Sequence, residues 1–129
     1  MGQQQLLLII LGVIVVGIAV AVGITMFTDN AISANRDAVT NDLVNLASRA
    51  QQFYRRPASM GGGEGAFTNL TLDKLTTKPS NSNGNYTLGT VAAGSVTLTG
   101  KGREKVNATD TVQVNMRVTP DSAIATVVH

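Results

Sequence analysis

Nothing ionisable occurs before Asp29, and no proline before Pro57. The chain has no cysteine and no tryptophan, and its one histidine is the last residue, His129. Each absence closes off a class of chemistry. Without cysteine there is no disulfide framework and no thiolate metal site. A single terminal histidine has no sequence neighbours to orient it for acid–base work. The acids Asp73, Glu104, Asp110 and Asp121 are scattered over expected loops, in neither a paired nor a metal-ligand spacing. No enzyme, no metal and no cofactor is therefore expected. The net charge is only +2, with the signs interspersed, which leaves no basic stripe for nucleic acid. Aromatic residues are limited to Phe27, Phe53, Tyr54, Phe67 and Tyr86. The segment "GGGEG" is not followed by Gly-Lys-Ser/Thr, so it reads as a flexible turn rather than a phosphate loop.

What is present is unevenly distributed. From Leu6 to Ile24 run nineteen consecutive apolar or glycine residues. That is about the length needed to cross a hydrocarbon core at ~1.5 Å per residue. A secretory signal would carry a basic start, a shorter apolar run and a small-residue cleavage site. A simple anchor would carry flanking Lys or Arg, and the nearest here is Arg36. Beyond Thr25 the sequence stays helix-compatible but becomes amphipathic. Ile32, Val39, Leu43, Leu46, Ala50 and Phe53 recur at helical spacing and are expected to form a helix–sheet core. Arg36, Asp42 and Arg49 fill the rest of the helix surface, and Asp42 is expected to face away from the core. One helix is thus predicted from near the N-terminus to about Arg56, roughly 80 Å long.

After Pro57 the period changes. "LTLDKL" reads as a short turn or strand, and "KPSNSNGN" as a turn. "YTLGTV", "SVTLTG", "TVQVNMRVT" and "AIATVVH" are four β-branched runs, broken by Ala-Ala-Gly, "KGREKVNATD" and Pro-Asp-Ser. Val112, Val114, Met116 and Val118 alternate with polar residues, as in an antiparallel sheet that covers a helix. The expected class is α+β. Residues 1–28 form an apolar helix, 29–56 the amphipathic half of the same helix, and 57–129 a small antiparallel β domain packed against it. Three N-x-S/T triplets make Asn69, Asn85 and Asn107 candidate glycosylation acceptors.

A long N-terminal helix, apolar and then amphipathic, under a small antiparallel sheet resembles the type IV pilin family, bacterial or archaeal. The resemblance covers the whole architecture, but its specific motif lies only in the first two dozen residues. It implies a precursor whose short leader, ending in Gly, is removed by a membrane prepilin peptidase. It also implies assembly machinery and a filament core of packed helices. Most bacterial members have glutamate as the fifth mature residue. With Met1 as the mature start, the fifth residue here is Gln5; with cleavage after Gly2 it is Leu7. "QQQLLLI" is also similar to the glutamine-containing start of archaeal pilins and archaellins. The chain lacks the cysteine pair that often staples bacterial pilins and the proline often found in their apolar helix. Gly12, Gly17 and Gly23 are there instead. Gly12, Ala19 and Gly23 share a face with Val16, and Gly17 and Ala21 form a small-x-x-x-small pair beside them, a pattern suited to close helix packing.

Three functions follow as expectations. The first is the major structural subunit of an extracellular, pilus-like homopolymer held in the cytoplasmic membrane before assembly. The second is a minor pilin or pseudopilin of a secretion or adhesion machine. The third is a single-pass membrane-anchored binding module.

Overall fold

With no proline to remove an N–H donor before Pro57, the first part of the chain forms a single α-helix, α1, Gln3–Arg55, of 53 residues. It is seen in a computed structural model that describes residues 2–129. Met1, the expected mature start, lies outside the described residues. The contacts divide the chain into two compact units at Ala31/Ile32. The first holds the apolar part of α1. The second, Ile32–His129, holds the amphipathic part together with the β domain.

In the second unit the strands form an antiparallel meander in the order β1 (Gly84–Val91), β2 (Val96–Lys105), β3 (Thr111–Val118), β4 (Ala123–Val127). Period-two alternation turns one face of the sheet toward the helix. Val96 and Leu98 of β2 and Val112, Val114, Met116 and Val118 of β3 are all buried. Opposite them, Val39, Leu43, Leu46, Ala50 and Phe53 of α1 are buried, and Ala47 joins them. Ile32, a turn before the first helix residue bonded to the sheet, is only half-buried. The helix lies close against β2, where the inward positions after Leu98 are Gly100 and Gly102. A Cβ on Gly100 would lie 2.6 Å from Val39 Cγ1 and 3.0 Å from the Tyr86 ring, and one on Gly102 would strike the Asn35 carboxamide. Glycine is required there by the close approach of the two layers.

Three local expectations need correction. The "GGGEG" segment is not a flexible turn but the cap of α1. Gly61, Glu64 and Gly65 adopt positive φ of 80°, 51° and 84°. The N–H groups of Gly63, Glu64 and Gly65 donate to the carbonyls of Phe53, Arg56 and Tyr54 at 2.8, 3.0 and 2.8 Å, satisfying carbonyls that a helix end leaves open. "LTLDKL" is neither strand nor plain turn: Leu72–Leu75 is one turn of helix, α2, that buries Leu75. The break expected at "KGREK" is also absent, because β2 continues to Lys105 through a register shift between Lys101 and Lys105. β4 forms at the edge of the sheet, but all five of its residues are exposed. Ala123, Ala125 and Val127 share the face of their partners Val118, Met116 and Val114, yet the helix does not reach them.

Candidate functional site

From Leu6 to Phe27 every large hydrophobic side chain is exposed, between 53% at Ile14 and Val22 and 76% at Phe27. By length and composition the helix suffices to cross a membrane. Gly12, Gly17 and Gly23 have no atom within 4 Å of where a Cβ would stand, and none has a positive φ. The chain's own fold therefore does not demand glycine at these positions, and each costs about 1 kcal/mol of helix stability relative to alanine. Val16, Ala19 and Ala21 are likewise exposed, as is Gln5 near the start of α1.

The second unit is held by polar contacts along both flanks of the helix. On one flank Asn35, Asp42 and Arg49 recur every seven residues, nearly in line on an α-helix. The Asn35 amide donates to Asn83 O at 2.8 Å, and its oxygen accepts from the backbone N–H of Arg103 at 2.9 Å and of Glu104 at 3.2 Å, in the stretch where the β2 register shifts. Asp42 does not face away from the core. Its carboxylate accepts from Asn81 and Asn83, both at 3.0 Å, and from the hydroxyl of Tyr86. At ~100° per residue it sits beside the Val39–Leu46 line, close enough to reach over the edge of the sheet. Partial burial opposes its charge, but the hydrogen bonds from Tyr86, Asn83 and Asn81 together hold the carboxyl below its ordinary value. The Tyr86 hydroxyl is pushed up, first by burial and then by the bond to Asp42 and its charge. Arg49 Nη1 donates to Leu75 O at 2.7 Å, tying α2 to the same flank.

On the other flank Arg36 Nε donates to His129 O at 3.3 Å, Gln51 Nε2 to Thr119 O at 3.1 Å, and Arg55 Nη2 to Pro120 O at 3.2 Å. These bonds hold the β3–β4 turn and the chain end. In most of these contacts the cation meets a neutral carbonyl. Among the described residues no Lys or Arg lies within 4.0 Å of an Asp or Glu carboxylate, and the His129 ring stands 3.9 Å from Asp110, an ion pair only when the imidazole carries a second proton. Among them, too, no three of His, Asp or Glu come together as a metal-holding group.

The three glycosylation triplets differ in their surroundings. Asn85 lies in β1, and its oxygen accepts from Ser80 Oγ at 2.5 Å and from Arg103 at 3.1 Å. Asn107 closes a turn, donating to Asp110 at 3.1 Å and accepting from the Thr109 N–H and hydroxyl. Asn69 is exposed, and its side chain makes no hydrogen bond. The Asn/Ser-rich turn was legible in the sequence as a turn. Its role as the donor side of the Asp42 contact was not, because nothing in "KPSNSNGN" says which helix position it closes on. No family model, no curated protein and no solved structure matches the chain.

Proposed function

We propose that the protein is the structural subunit of a pilus-like surface filament, built by packing of the helix segment 3–28 from many copies. Before assembly that segment lies in the cytoplasmic membrane. A prepilin peptidase and an assembly machine are partners of this reading, and catalysis is not part of it. The observation that carries it is the fully exposed apolar surface from Leu6 to Phe27, on a helix that continues into a folded domain. Such a surface needs lipid or other protein on every side. Inside lipid it is already covered, so hydrophobic transfer gives little reason to leave. Close packing must then favour the polymer, and small residues permit it. Gly12, Gly17 and Gly23 support this, since among the described residues nothing beyond their own helix turns packs where a Cβ would stand.

Gly17→Leu tests the reading. Leucine keeps the segment apolar, so membrane insertion is expected to survive. The added bulk is expected to cost about 1–3 kcal/mol where two helices meet closely, a penalty repeated at every subunit. Normal protein in the membrane fraction with few or no filaments by electron microscopy is the expected result. Wild-type filament yield from Gly17→Leu would remove the close-packing argument. A wild-type chain that stays in the membrane and forms no filament in its native host would favour the anchored module instead.

A further inference from the structure

At the C-terminal end of α1 an open cleft of about 420 Å³ is walled by Arg49, Gln52, Phe53, Arg56, Lys74 and Leu75. That size falls within the roughly 300–1,000 Å³ typical of small-ligand sites. Three of the lining side chains are cationic and none is acidic. Two of the cations are positioned by bonds that leave their charge uncompensated. Arg49 donates to Leu75 O, and Lys74 Nζ donates to Asn69 O at 2.9 Å while standing 5.1 Å from the centroid of the Phe53 ring. Among the described residues the Arg56 side chain has no hydrogen-bond partner, although its backbone carbonyl is fixed by the glycine cap. A helix C-terminus ordinarily repels an anion because of its open carbonyls. Here the carbonyls of Phe53, Tyr54 and Arg56 are already taken by Gly63, Gly65 and Glu64.

We propose that this cleft binds an oxyanion: the carboxylate, sulfate or phosphate group of an acidic ligand. The Arg56 guanidinium has the planar fork that matches such a group in a bidentate manner. Lys74 supplies a second, point-like charge, and the Gln52 amide a neutral donor. Arg49 adds a third charge to the lining, its position set by Leu75 O. The cap and α2 fix the backbone of the walls, and Lys74 is already held by Asn69 O, so the ordering left to binding is chiefly that of the Arg56 and Gln52 side chains. Every residue involved belongs to the unit Ile32–His129, so the site does not depend on whether the helices polymerise.

The test uses the full ¹⁵N-labelled chain in a non-ionic detergent, following the backbone amides of Gly61, Lys74 and Leu75. The probes are inorganic phosphate and a trimer of galacturonic acid, with a neutral galactose trimer as control. A saturable shift with phosphate assigns the site to small free oxyanions. A saturable shift with the uronate trimer alone assigns it to acidic saccharide. Either supports the proposal. Arg56→Gln is expected to weaken binding about fivefold, and Arg56→Gln with Lys74→Gln about twentyfold or more. Because the Arg56 side chain bonds nothing in the fold, Arg56→Gln should melt like wild type, so lost binding would not reflect unfolding. Lys101→Gln with Lys105→Gln removes the same charge outside the cleft and is expected to change affinity less than about twofold. Three results would each overturn the proposal: no saturation by either anion up to about 50 mM, equal shifts with the neutral trimer, or equal loss from the Lys101/Lys105 pair.

Discussion

Removing the carboxylate of Asp42 leaves three donors without their shared acceptor. Two of them, the amides of Asn81 and Asn83, sit at or near the surface and can turn to water. The third, the hydroxyl of Tyr86, belongs to a residue only 4% exposed. Its loss of partner therefore dominates, and Asp42→Ala is expected to cost about 1–3 kcal/mol, in the range for a bond to a charged group broken on one side. Tyr86→Phe removes the donor and keeps the ring packed, and should cost less, about 0.5–1.5 kcal/mol. Because the two groups act on one bond, the double variant should be less destabilised than the sum, by at least about 0.5 kcal/mol. Thermal unfolding followed by circular dichroism reads this on a chain beginning at Asp29, which contains the whole second unit. At that size 1 kcal/mol moves the midpoint by about 4–8 °C. The pH dependence has a definite sign. The folded carboxyl titrates below the ordinary 3.8, so the charge stabilises the fold above that value and the gain is lost as pH falls through the lower, folded value. The gap between wild type and Asp42→Ala should be full near pH ~6 and shrink toward pH ~2. Additive single variants, or a gap that widens in acid, would refute the argument.

Other outcomes follow from the same contacts. Leu43→Ala should cost about 2–5 kcal/mol, whereas Val44→Ala at its exposed neighbour should stay within about 0.5 kcal/mol; equal effects on melting would show the wrong face to be buried. Gly100→Ala should cost about 1–3 kcal/mol by pressing on Val39 and Tyr86, while Gly94→Ala, with open space around its Cβ, should change stability little. In a host whose transferase reads N-x-S/T, peptide mass spectrometry should find sugar on Asn69 ahead of Asn85 and Asn107, and occupancy of Asn85 with Asn69 bare would contradict the reading of their surroundings.

The elements themselves were largely legible. The helix and the four strands follow from two periodicities, and the buried faces of α1 and β3 from the same patterns. What escaped the sequence was set by contacts distant along the chain. Asp42 was assigned to the wet side by its chemical type, though its place on the helix puts it beside Val39. The three donors that make it structural come from residues 81–86, and only the closing of that turn on α1 brings them together. The glycine cluster looked like slack because composition does not distinguish a flexible linker from a tight cap. Its positive φ values and backbone bonds to α1 make it the latter. β4 was expected from its β-branched run, and that pattern could not show that the helix stops short of it. The packing role proposed for Gly12, Val16, Gly17, Ala19, Ala21 and Gly23 concerns surfaces outside a single chain, which no intrachain contact can display.

The way the charged side chains of the second unit are used has a consequence for ionic strength. Salt weakens attraction between exposed ions of opposite sign and has much less hold on a cation bonded to a neutral carbonyl. Arg49, Arg55 and Lys74 hold peptide carbonyls, and Asp42 is held by neutral donors. The domain should therefore unfold at nearly the same temperature in dilute buffer and in molar sodium chloride. Among the described residues, its surface carboxylates Asp37, Asp73 and Asp121 make no ion pair and remain open to cations from outside the chain. Brine would then leave the domain intact while loosening whatever those charges join.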